Sequence, residues 1–176
     1  MQIGILSDSH DRLDSLKKAV EILKQHQVEM LIHCGDWVSP FTLEWFDYIT
    51  SDYRVPVKSV FGNNEGDIKS IIERNEKLNN PIEFAPKIAL ELEIDHKKLA
   101  VFHGHDQIIL NSLINSKHFD ALFCGHTHSP RNEKIGNTLV VNPGSTAFAR
   151  ESRITNEASV AIYDSHSSKA TIITFS

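Results

Sequence analysis

Five short polar strings punctuate this chain, and each follows an apolar, β-branched run: Asp8-Ser9-His10, Gly35-Asp36, Gly62-Asn63-Asn64, His103-Gly104-His105 and Gly125-His126-Thr127-His128. Strand formers followed by Gly, Asn and Asp place each string where a strand gives way to a loop. Any fold of this sequence must therefore carry carboxylates and imidazoles at several strand ends. Folding alone does not require such endings. Holding metal ions does.

The first third alternates strand and helix. Residues 2–7 form a short apolar run ended by small polar residues, which predicts a buried strand. Residues 11–27 predict a helix, with Leu13, Leu16, Val20 and Leu23 on one face and Lys17, Lys18, Glu21 and Lys24 elsewhere. A second strand over 28–34 runs into Gly35-Asp36. Pro40 then suits the first turn of a helix carrying Leu43, Phe46 and Ile49. A third strand over 57–61 ends at Gly62. This order predicts parallel pairing through right-handed crossovers.

The period then changes. Residues 68–72 read as a short helix, and 78–86, with two prolines and two asparagines, as a loop. Alternation from Ile88 to Ile94, a turn at Asp95-His96-Lys97-Lys98 and a return over 99–102 predict an antiparallel hairpin. Residues 107–116 read as a helix, 121–124 and 138–141 as strands, and 158–163 with 170–175 as a final hairpin. The expected fold class is α/β: two stacked mixed β-sheets flanked by helices, in one domain over 1–176.

Bulk properties narrow the partners. A net charge of −5 without a basic stripe argues against non-specific nucleic-acid binding, though not against a nucleotide. No apolar run approaches the roughly 20 residues of a membrane span, and no signal peptide is evident at the N-terminus. Cys34 and Cys124 each lie near the end of an apolar run, which suits buried thiols and a cytoplasmic location. Homodimerisation through the terminal hairpin is open, because that edge is either available or covered by the chain itself.

In an extended segment alternate residues point the same way, so Asp8 and His10, His103 and His105, and His126 and His128 can each face one point. Any one pair is ordinary; Asp8 or Asp11 could equally cap a helix. His26, His96, His118 and His166 read as surface residues, and His33 as a packed one. Two His-x-His pairs with two strand-terminal aspartates are harder to assign to packing. Imidazole, carboxylate and amide oxygen together suit Mn, Fe, Zn, Ni or Co better than Ca. Two such ions about 3.5–4 Å apart can share one carboxylate and one water or hydroxide. The site would then be locally positive in an acidic protein and would suit a phosphate ester.

These strings, in this order and with Glu65 after Asn64, resemble the calcineurin-like metallophosphoesterase superfamily. The small size and Asn142-Pro143-Gly144-Ser145 look most like its compact bacterial and archaeal phosphodiesterase branch. The likeness runs from residue 3 to about 150. It implies one metal on Asp8, His10 and His128, another on Asn63, His103 and His126, and Asp36 between them. It also implies in-line attack on phosphorus by a bridging hydroxide, with two divalent ions as cofactors, manganese first among them. The expected substrate is a small phosphate ester, with a nucleotide or nucleic-acid end included.

One position departs from the pattern. Asn64 stands where many relatives carry a histidine credited with acid catalysis, and an amide cannot donate a proton in that way. Asn64 can still hydrogen-bond a phosphate oxygen. The leaving group would then be protonated by His105, by water or, if it is a good one, by no group. His105 itself either supports a ligand or contacts the phosphate directly. The Asn142 turn would line the phosphate through backbone N–H groups or be a plain turn, and Arg150 would reach substrate or be an ordinary exposed arginine. Residues 65–86 are expected in the substrate wall. The alternative to an enzyme is a non-catalytic scaffold of the same fold that binds a protein partner. All seven expected ligand positions nevertheless carry competent donors.

Overall fold

The computed structural model describes residues 1–150, 153–154 and 156–176, and the side chains of 1–148 and 156–176. The Arg150 side chain lies outside the described residues. Among the described residues thirteen strands and four helices follow one another, and the alternating half comes first. Strand β1 (Gln2–Leu6) leads through α1 (Leu13–Gln25) to β2 (Met30–His33), then through α2 (Pro40–Ile49) to β3 (Val57–Ser59). Helix α3 (Ile68–Asn75) precedes a two-residue strand, β4 (Glu83–Phe84). The hairpin follows as β5 (Ala89–Ile94) and β6 (Lys97–Phe102), then α4 (Gln107–Asn115), β7 (Ala121–Phe123), β8 (Arg131–Ile135) and β9 (Thr138–Asn142). Short β10 (Ala149–Arg150) and β11 (Arg153–Ile154) pair with each other, and β12 (Ala158–Asp164) and β13 (Lys169–Phe175) close the chain.

Two mixed sheets result, ordered β13-β12-β1-β2-β3-β4 and β5-β6-β7-β9-β8. Within them β1, β2 and β3 are parallel, as are β6, β7 and β9. The hairpins β5–β6 and β12–β13 are antiparallel. Period-two alternation splits each central strand between two cores. Ile3, Ile5 and Ile32 meet Leu99, Val101 and Phe123 between the sheets. Leu6 and Leu31 face outward onto Leu16, Leu23 and Phe46 of α1 and α2. Ala100, Phe102 and Leu122 likewise face Leu110 and Ile114 of α4. Strands covered on both faces read as continuous apolar runs, which is why the sequence displays them so plainly.

Helix starts follow from their caps. Pro40 is preceded by Ser39, whose hydroxyl accepts the Phe41 N–H at 3.1 Å. Asp106 caps α4 by accepting the N–H groups of Ile108 at 2.9 Å and Ile109 at 3.0 Å.

Several details differ from the sequence expectation, among them the β10–β11 pair and the shorter α1 and β3. The stretch 78–86 contains β4, which adds an edge to the first sheet beside β3. β8 was not anticipated: its Arg-Asn-Glu-Lys-Ile sequence lacks alternation because it is an edge strand with no fully buried residue. α3 runs to Asn75, one turn beyond the expected end. Among the described residues no helix is long and apolar enough to cross a membrane. Both cysteines are buried thiols, as expected.

Candidate metal centre

The parallel strands of both sheets direct their C-terminal ends to one edge of the sandwich. Asp8 and His10 follow β1, Asp36 follows β2 and Asn63 follows β3, all from the first sheet. His103 and His105 follow β6, and His126 and His128 follow β7, from the second. Neither sheet supplies the cluster alone.

On one side, Asp8, His10, Asp36 and His128 bring ligand atoms within 4.8 Å of one another. His10 Nε2 lies 3.1 Å from His128 Nε2 and 3.4 Å from Asp36 Oδ2, and His128 Nε2 lies 3.3 Å from Asp8 Oδ1. On the other side, Asn63 Oδ1 lies 3.0 Å from His103 Nε2 and 2.9 Å from His126 Nδ1. Asp36 spans the two sides, with Oδ1 3.4 Å from His103 Nε2 and Oδ2 toward His10.

The donor set fits cations. His103 Nδ1 donates to the Cys34 carbonyl at 2.7 Å, so in the neutral ring Nε2 carries the lone pair. That lone pair faces oxygens of Asp36, Asn63 and Asp8, which are all acceptors. A second nitrogen pair, His10 and His128, meets the same carboxylates. Converging lone pairs in a buried pocket need protons or metal ions to be stable. Asp8, Asp36 and His103 are almost wholly inaccessible to solvent.

The charges respond accordingly. Burial pushes the Asp36 carboxyl up, but His103 and Asn64 outweigh it and hold the group well below the usual carboxylate range. Burial pushes the His103 imidazole down, and Asp36 and Asp8 overcome this to hold it above its ordinary value. His105 and His126 are lowered by burial and then by the charge of His103.

At five of these residues the backbone departs from the extended form that the sequence predicts. Asp8, His10, Asp36, His126 and His128 have φ of 54°, 42°, 63°, 69° and 58°. Left-handed residues, each costing about 1–2 kcal/mol when they are not glycine, turn the side chains inward. Hydrogen bonds hold them there. Asp8 N–H donates to the Gly35 carbonyl at 3.0 Å, His10 N–H to the Asp36 carbonyl at 3.2 Å, and His126 N–H to Asp8 Oδ2 at 3.0 Å. Gly125 is required by close approach: a Cβ there would lie 2.6 Å from Asp8 Oδ2 and overlap the Ser7 hydroxyl.

The remaining expected residues are placed as follows. Asn64 clamps Asp36, donating its backbone N–H to Oδ1 at 2.9 Å and its amide Nδ2 to Oδ2 at 2.8 Å. The His105 ring centroid lies 5.6 Å from that of His103 and 6.5 Å from that of His126, at the border of the cluster. The Asn142 turn braces the loops of the cluster. Its amide donates to the Gly125 carbonyl at 2.7 Å, its Oδ1 accepts the Gly144 N–H at 2.9 Å, and the Ser145 hydroxyl donates to the Asp8 carbonyl at 2.8 Å. His33 is packed, stacked on Trp37 with ring centroids 3.7 Å apart.

Glu65 is the residue whose part could not be read from spacing. Its Oε1 accepts the N–H groups of Asp36 and Gly62, and its Oε2 accepts that of Val38, each at 2.9 Å. A carboxylate three residues after a strand-ending glycine was the one available signal.

An α/β sandwich with carboxylates, imidazoles and an amide gathered at its parallel strand ends has the architecture of a metal-dependent hydrolase. The sequence profile of the calcineurin-like phosphoesterase superfamily domain matches residues 1–168. The chain is 37% identical over 144 residues to phosphodiesterase MJ0936 of Methanocaldococcus jannaschii, covering 82% of this chain and 83% of that one. The solved structure of an archaeal phosphodiesterase superposes with a TM-score of 0.86 at 32% identity, over 99% of this chain and 100% of the other. Yfce, a phosphoesterase from E. coli, shares the fold at a TM-score of 0.66 and 22% identity, over 94% and 89% of the two chains. This chain belongs to the calcineurin-like phosphoesterase superfamily.

Proposed function

We propose that this chain is a metal-dependent phosphodiesterase acting on small phosphate esters. Asp8, His10 and His128 would hold one divalent ion and Asn63, His103 and His126 a second, with Asp36 serving both. The observation that carries this reading is the division of the Asp36 carboxylate, Oδ1 toward His103 and Oδ2 toward His10, at 3.4 Å in both directions. When bound, two such ions supply a nucleophilic water at neutral pH and offset charge on the phosphoryl oxygens. Manganese is the proposed native ion, with nickel, iron, zinc and cobalt also suited to this donor set, and the cytoplasm the proposed location.

The protein's own groups do the rest. Asn64 holds Asp36 in its shared orientation and keeps one amide hydrogen for a phosphoryl oxygen. His105, at the border of the cluster and outside the proposed ligand set, would contact the phosphate. The left-handed loops keep the ligands preorganised, so little rearrangement is needed on substrate binding. The scaffold alternative calls for a broken ligand set, and every expected position carries a competent donor.

The test is metal analysis of the purified protein together with hydrolysis of bis-p-nitrophenyl phosphate, with and without Mn²⁺, in wild type and Asp36→Ala. Two ions per chain and Mn-dependent turnover lost in the variant are expected. A protein that stays metal-free and inactive after reconstitution with Mn, Ni and Co would overturn the reading.

A further inference from the structure

A cavity of 740 Å³ opens directly beside the candidate centre, and Gly62 and His105 line it. It lies where the edges of the two sheets part. Phe61 and Phe84 come from the ends of β3 and β4, Ile72 from α3, and Lys87 and Ile88 from the segment that leads into β5. Phe61 and Phe84 stack on each other, with centroids 4.5 Å apart and rings 8° from parallel. Ile72 is 44% exposed and Ile88 52% exposed, although both are large apolar side chains. Exposure of that kind inside a concavity next to a site points to a ligand surface.

The wall is built, not loose. Asn75 Nδ2 donates to the Ile82 carbonyl and Asn75 Oδ1 accepts the Ile82 N–H, both at 2.8 Å. Asp47 accepts the N–H groups of Asn79 at 3.2 Å and Asn80 at 3.0 Å. These contacts fix the 75–84 stretch that carries Phe84 against Phe61. The cavity lies on the Asn63–His103 side of the cluster: Gly62 precedes Asn63 in the chain, and the His105 ring is 5.6 Å from that of His103. A phosphoryl group at the centre would therefore direct one ester substituent into it.

We propose that this cavity takes a planar aromatic substituent of the phosphate ester, an aryl group or a nucleobase, and so sets substrate preference. This rests on the phosphoesterase reading above. Stacked rings, two exposed isoleucines and a lysine at the rim match a flat apolar group with polar edges. A small alkyl ester would leave the isoleucines in water and gain nothing from the wall.

Equilibrium binding to the Mn-loaded protein separates the arms. Titration calorimetry would compare methylphosphonate, phenylphosphonate and thymidine 5′-monophosphate in wild type, Ile72→Asp and Ile88→Asp, with metal content measured for each. Phenylphosphonate or the nucleotide should bind wild type about tenfold more tightly than methylphosphonate, equivalent to about 1.4 kcal/mol. Tighter binding of only one assigns the cavity to aryl groups or to nucleobases. Both variants should lose this preference, keep their metal and their affinity for methylphosphonate, and raise the KM for bis-p-nitrophenyl phosphate while kcat holds. Equal affinity for all three ligands in wild type overturns the inference and leaves the phosphoesterase reading intact. A metal-loaded protein that binds none of them and hydrolyses no diester overturns both.

Discussion

Glu65 Oε1 accepts the backbone N–H of Asp36 at 2.9 Å, and so fixes the loop that carries the shared carboxylate from a different strand end. Because the same carboxylate also holds Gly62 and Val38, one side chain ties the β2 and β3 endings together. Glu65→Ala leaves three backbone donors without this acceptor. We expect a loss of about 1–3 kcal/mol in urea unfolding. Metal affinity should fall by about 10–100-fold, as for other residues that orient ligands from behind. Wild-type affinity in a chelator competition would show that the loop is held by other contacts.

Gly125→Ala tests close approach. The added Cβ would meet the Ser7 hydroxyl and Asp8 Oδ2, so Asp8 or the His126 loop must shift. Turnover should drop by about 10²-fold from misplacement of that order, with a normal circular dichroism spectrum and reduced metal content. Unchanged metal content and turnover would mean that the loop absorbs the methyl without moving a ligand.

Asp47 gives a pH signature away from the metal ligands. Burial pushes its carboxyl up, but the Asn79 and Arg54 side chains and the Asn79 and Asn80 N–H groups hold it below its ordinary value. A carboxyl lowered in the folded state stabilises the fold above its unfolded value of about 3.9, and the contribution is lost as pH falls through the folded value. Asp47→Asn should therefore unfold at lower urea at pH 7, by about 1–2 kcal/mol, and the gap should narrow below pH 4. A constant gap from pH 7 to pH 3 would assign the effect to neutral hydrogen bonding.

Asn64 predicts a leaving-group dependence. With no imidazole at that position, nitrophenyl esters should turn over well and alkyl esters poorly. Asn64→His should raise alkyl-ester turnover by about 10²-fold or more, the usual worth of general acid catalysis, and change nitrophenyl rates little. Equal wild-type rates on both ester classes would show that the departing oxygen is already protonated by another group.

Much of this was legible in the sequence because the informative residues sit at strand ends, where composition changes abruptly. Ile3, Ile5, Leu6 and Ile32 form unbroken apolar runs since both faces of their strands are covered, and the polar string after each run is the site. Asp8, Asp36, His103 and His126 come together as their order suggested. The means did not follow from the pattern: an extended Asp-x-His was expected, and left-handed turns were found, because backbone partners as remote as Gly35 set those dihedrals. β8 stayed hidden for lack of alternation. The role of Glu65 and the cavity beside His105 depend on contacts between distant segments, which no local period records.

The left-handed turns at Asp8, His10, Asp36, His126 and His128 carry a consequence for how the protein meets its ions. Those dihedrals are imposed by pairings between strand ends, Asp8 with Gly35 within the first sheet and His126 with Asp8 across the two, so the full set exists only once both sheets have assembled. The unfolded chain therefore offers scattered donors and no coordination sphere. Ions that bind only the assembled sandwich add their full binding free energy to its stability. Melting temperature should then climb with free metal concentration, and the ions should be released in the same transition that separates the sheets.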